Sequence, residues 1–134
     1  MTAEAAGAQA RALRAIADIT VASGALQMVR PDWVLGQLSP QPTPLDEHLF
    51  GTIGMFMVVS GGTMHRSLTV PSPDRGLLLW AALQKLGAST AVGIGVRRKV
   101  FSARALPVAA FDLLSGLGCL VYLWQRSRDG ESSP

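Results

Sequence analysis

The sequence predicts an all-α fold: a bundle of four transmembrane helices with a short interfacial helix after the first. Three observations carry this. Four apolar blocks punctuate the chain, basic residues flank them, and charge is scarce. Charged residues make up 16% of the 134 residues, where a soluble domain carries about 25%. Mean hydropathy is +0.30, because polar loops dilute the blocks. No period-2 alternation or long repeat points to a sheet or a solenoid.

The first block is Ala15–Val29, closed by Arg14 and Arg30. Its 15 residues give about 23 Å of helix at 1.5 Å each, less than the ~20 residues a span needs. The span therefore begins earlier, with Arg11 and Arg14 extending to the interface. Residues 1–10 are polar and alanine-rich and read as a frayed or helical lead-in, and Asp18 interrupts the apolar run. This is not the pattern of a cleavable signal, so the helix is expected to be retained. Pro31-Asp32-Trp33 follows. Pro31 suits the first turn of a new short helix, with Trp33 at headgroup level. Ser39–Pro44 alternates prolines, which favours an extended loop outside the hydrocarbon.

Thr43-Pro44-Leu45-Asp46 is a helix start: Thr43 caps, Pro44 takes the first position, and Asp46 and Glu47 favour the positive helix end. The charge-free block Leu49–Met64 follows, and Ser72-Pro73-Asp74 repeats the start signal. The third block, Gly76–Val96, spans 21 residues around Lys85, and Arg97-Arg98-Lys99 closes it. Ser102 is placed to cap the fourth, Ala105–Trp124, whose 20 residues contain Asp112. The organisation expected is a flexible lead-in at 1–11, a membrane domain at 12–125 and a disordered tail at 126–134.

Four spans put Arg11, Arg14, Arg66, Arg75, Arg126 and Arg128 on one side, and Arg30, Arg97, Arg98, Lys99 and Arg104 on the other. Six against five sets no orientation; the termini are placed on the cytoplasmic side of a bacterial inner membrane.

Ionisable residues within spans face the bundle interior and seek partners. Measured along the helices, Asp18 lies roughly 6–10 Å in, Lys85 roughly 15 Å, and Asp112 roughly 20 Å. With Gln84 they form the expected intramembrane polar cluster, one cation between two carboxylates. This serves either as a register-fixing Lys85–Asp112 pair or as the lining of a ligand cavity. Gly87, Ala91 and Gly95, with Ser89 and Gly93, recur at four-residue spacing in the third span and are the expected helix-packing face.

His48 and His65 are 17 residues apart, about 25 Å along one helix, and do not share a metal. His48 alone is open to a single axial ligation. Asp46, Glu47 and His48 lack the ligand count of a metal site. Cys119, the single cysteine, forms no intrachain disulfide and reads as a packing residue. No phosphate loop, nucleophile elbow or dinucleotide fingerprint is present. Basic residues border apolar blocks without interleaved aromatics, which argues against nucleic acid. No cofactor or metal is expected.

Pro31-Asp32-Trp33, Leu49-Phe50-Gly51, Gln84-Lys85-Leu86-Gly87 and Phe111-Asp112-Leu113-Leu114 together resemble the DoxX-like group of small bacterial four-helix membrane proteins, over roughly residues 12–124. Some members are associated with membrane oxidoreductase assemblies. The resemblance implies a membrane partner subunit without its own redox centre. The leading reading is a non-enzymatic membrane subunit or scaffold, accessory to an electron-transfer or photosynthetic assembly. The alternative is a stand-alone membrane protein binding a lipophilic molecule such as a quinone in the polar cavity. An enzyme using the carboxylates is the third reading. Expected partners are the bilayer and other membrane subunits or further copies of the chain.

Overall fold

The computed structural model describes residues 3–39, 41–70 and 72–131. Every regular element among them is helical: α1 (Ala3–Val29), α2 (Pro31–Leu38), α3 (Pro44–Thr69), α4 (Arg75–Arg97) and α5 (Leu106–Glu131), with a 3-10 turn at Ala103–Ala105. Within these, Ala6–Val29, Arg75–Arg97 and Ala103–Arg128 are long and apolar enough to cross a membrane. Three spans are therefore clear by length and hydropathy, where four were expected. The helix outside that group is α3, although its central block carries no charge. Asp46, Glu47, His48, His65 and Arg66 lie towards its ends, and glycine, serine and threonine dilute its middle. The first helix, expected to be the short one, qualifies instead because it begins at Ala3. The alanine-rich lead-in is helix, since alanine is the best helix former. Likewise α5 continues to Glu131 through most of the expected tail. Met1, Thr2 and residues 132–134 lie outside the described residues.

The local start signals act as the sequence implies. Thr43 caps α3 in a reciprocal box. Its Oγ1 accepts from Asp46 N–H (3.2 Å) while its own N–H donates to Asp46 Oδ2 (2.9 Å). The Thr43 hydroxyl also donates to Asp46 Oδ2 (2.6 Å), and this bond first and the Thr43 amide second hold the Asp46 carboxyl below its ordinary range. Pro31 opens α2, and the adjacent Arg30–Asp32 pair (3.2 Å) lowers the Asp32 carboxyl. At α4 the cap is Asp74, whose Oδ1 accepts from Leu77 N–H (3.0 Å). Ser102 makes no side-chain cap; its amide instead donates to Leu38 O (2.7 Å), tying the α4–α5 connection to the end of α2.

The long helices assemble as two antiparallel pairs. The α1–α3 pair is close because two glycines face each other: a Cβ on Gly24 would lie 2.6 Å from Gly54 O, and one on Gly54 would lie 2.6 Å from Gly24 O. One heptad further on, a Cβ on Gly61 would lie 2.9 Å from Ala17 O. In the α4–α5 pair, Gly116 packs on Leu86 and Ala82: its Cβ would meet Leu86 Cγ at 2.8 Å and Ala82 O at 3.1 Å. The two pairs meet mainly near the chain termini. There, Leu13 and Ala17 of α1, Met64 and Leu68 of α3, Leu78, Ala81 and Ala82 of α4, and Cys119 and Tyr122 of α5 form one buried core. Cys119 is a packing residue of this core, 1% exposed.

Candidate functional site

Lys85 of α4 and Asp112 of α5 are brought together as expected. Nζ lies 2.7 Å from Oδ1, and the two side chains are 3% and 9% exposed. The Gly116 contact explains the register: it draws α4 and α5 together one turn from Asp112, beside Ala82 and Leu86. The ammonium also lies 5.2 Å from the centre of the Phe111 ring, a favourable cation–π placement. One hydrogen bond, one carboxylate and one ring therefore close over a charge buried among apolar neighbours. A pair of this kind is costly to desolvate and much costlier to break from one side.

The other expected members lie elsewhere. Asp18 is on the α1–α3 pair, its side chain 62% exposed, with His65 Nδ1 at 2.7 Å from its Oδ1. The buried face of α1 runs through Leu13, Ala17, Thr20 and Gly24. Asp18 is one residue past that face, turned about 100° away. Gln84 is displaced from Lys85 by the same turn. It reaches across to α3, where Ser60 Oγ donates to its Oε1 (3.4 Å). Both line an open groove of about 320 Å³ between α3 and α4, with Phe56, Val59, Trp80 and Leu77 among its walls. The four-residue cluster thus resolves into three separate pairs: Lys85–Asp112, Asp18–His65 and Gln84–Ser60.

His48 is exposed in the first turns of α3. Among the described residues, no group of three or more His, Cys, Asp or Glu side chains is arranged for a metal. A second groove, of about 230 Å³, lies under α2 between α3 and the α4–α5 turn, lined by Leu35, Phe50, Ile53 and Phe101 among others.

The small residues singled out in α4 do not pack helices within the chain. A Cβ on Gly87 or Gly93 would meet nothing within 4 Å, Ala91 is exposed and Ser89 half-buried. Only Gly95 is in close contact, and with Phe101 of the following turn, whose Cδ2 would lie 2.5 Å from its Cβ. The residues that do bring helices together are Ala17, Gly24, Gly54, Gly61 and Gly116. Four of them carry a readable signal, seven-residue spacing in two apolar blocks (17 and 24, 54 and 61).

No family model, curated protein or solved structure matches the chain.

Proposed function

We propose that the protein is an integral membrane subunit without catalytic chemistry of its own, a scaffold within a larger membrane assembly. The observation that carries this is the outward distribution of large apolar side chains. Val29, Phe56, Val59, Trp80, Leu114 and Trp124 are between 58% and 76% exposed, and they are spread over all four long helices. A water-soluble surface rarely tolerates contiguous apolar area of that extent, whereas lipid and neighbouring helices match it. In this reading α3 completes a fourth span through its contact with α1, and α2 lies at the interface. The resemblance to the DoxX-like group points the same way, towards a membrane oxidoreductase assembly in a bacterial inner membrane; the assembly proposed is an electron-transfer or photosynthetic one.

The closed Lys85–Asp112 pair supports a register-fixing role. A quinone-type ligand is better served by the α3–α4 groove, where Gln84 and Ser60 form a polar contact among walls that include Phe56 and Trp80; this is the second reading. Extraction of the tagged protein from its own membranes in mild detergent separates the two. Stoichiometric membrane partners are expected, and a lone 14.1 kDa chain carrying bound quinone would contradict the scaffold reading.

A further inference from the structure

We propose that the α4–α5 turn is a binding site for the phosphate headgroups of anionic phospholipids, formed by Arg97, Arg98, Lys99 and Arg104; the proposal rests on the membrane reading above. Four of the chain's twelve cations fall within these eight residues, and all four are exposed. Among the described residues the ion pairs are Arg30–Asp32, His65–Asp18 and Lys85–Asp112, and none of them uses these four cations. Three of the described carboxylates lie at this end. Asp32 holds Arg30, and Asp46, which shares a groove with Val100 and Phe101, is held by Thr43. Glu47 stands beside it in the first turn of α3, so four turn cations outnumber the one carboxylate not otherwise engaged.

The turn is built rather than loose. Arg98 N–H donates to Ile94 O (2.9 Å), Lys99 N–H to Val96 O (3.0 Å), and Val100 N–H to Gly95 O (2.9 Å). Lys99 reverses the chain with φ 61°, and the Phe101 ring seats on Gly95. These backbone bonds satisfy the Ile94, Gly95 and Val96 carbonyls in the last turn of α4, so cationic side chains are not needed to cap them. Beside them stand Ile94, Val100 and Leu106, 48%, 56% and 47% exposed. Fixed cations next to exposed apolar side chains at the end of apolar helices match a phosphate with acyl chains below it. The basic residues at the opposite end differ: they are spread over four helices, and there Arg75 bonds Ser127, Arg126 bonds Tyr122 (3.2 Å), and Arg128 stacks 4.9 Å over Trp124.

The test uses the full chain in nanodiscs of phosphatidylcholine alone or mixed with phosphatidylglycerol, read by thermal unfolding and by lipid retained in native mass spectrometry. Phosphatidylglycerol is expected to raise the wild-type Tm. R97Q/R98Q/K99Q/R104Q should retain phosphatidylglycerol at least about tenfold less well, given the roughly fivefold worth of each cation at an anionic surface. R97K/R98K/R104K should keep the preference, which separates lost charge from a damaged turn. R11Q/R14Q should also keep it. Should the four-glutamine variant fail to fold, salt decides: the wild-type preference must weaken as ionic strength rises. A preference that survives in the four-glutamine variant, is lost with lysines in place, or ignores salt overturns the proposal. So does an equal Tm shift from inorganic phosphate in phosphatidylcholine nanodiscs. Failure to enter phosphatidylcholine nanodiscs at all would instead count against the membrane reading.

Discussion

Lys85 and Asp112 sit at 2.7 Å in a nearly dry contact between α4 and α5. Removing one partner strands a buried charge, so K85M or D112L alone should cost about 3–5 kcal/mol, while K85M/D112L should be close to neutral. Thermal unfolding of the four proteins in one detergent checks this, and two cheap single substitutions would contradict a register-fixing pair. A milder effect is expected at the exposed Thr43–Asp46 box. The folded Asp46 carboxyl is held below its ordinary value, so its contribution is present above the unfolded carboxylate range and lost as pH falls through the folded value. T43A should flatten the acid limb of a Tm–pH profile at and below the ordinary carboxylate range, and an unchanged limb would show that the box is not coupled to folding. Both features were legible in the residues. Lys85 and Asp112 are the charges within their apolar blocks, and Thr-Pro-x-Asp is a capping pattern. The place of Asp18 was not legible, because depth along a helix says nothing of phase. A single residue beyond Ala17 turns it out of the core and towards His65.

At the scale of elements, the contact between α1 and α3 is set by glycine backbones. G54A places a methyl 2.6 Å from Gly24 O, and no rotamer relieves a clash with backbone. A loss of about 1–3 kcal/mol is expected. G87A and G93A, where a Cβ meets nothing within 4 Å, should be neutral or gain up to about 1 kcal/mol in helix propensity. Unfolding midpoints for the three variants decide whether packing lies at Gly54 or along the α4 face. That face drew attention in the sequence because its small residues are dense and regularly spaced. Density alone does not say whether a partner helix belongs to the same chain. The heptad-spaced Ala17, Gly24, Gly54 and Gly61 carried the true contact, and only pairing the two blocks antiparallel reveals that they match. The end of α5 lies beyond its apolar block, since polar residues remain helical after apolar content stops.

Across the whole molecule, two closely packed pairs share a core near the termini, and α2 joins the opposite end through Ser102 and Leu38. The helical fold and the short α2 were readable from length, capping and prolines. The weak junction between pairs was not, because it depends on which faces four apolar helices turn inward. That junction leaves the α3–α4 groove open and much of each helix facing outward. The central claim is that lipid or membrane partners cover those faces. Single cysteines placed at Trp80, Leu83 and Leu114, which are 71%, 46% and 70% exposed, test it in a Cys119→Ala background with a membrane-impermeant maleimide. In intact membranes these positions should resist labelling until detergent is added, while a cysteine at Arg75 or Arg98 labels once its side of the membrane is accessible. Ready labelling of positions 80, 83 and 114 in untreated membranes, at the rate seen at 75 or 98, would place those faces in water and contradict the account.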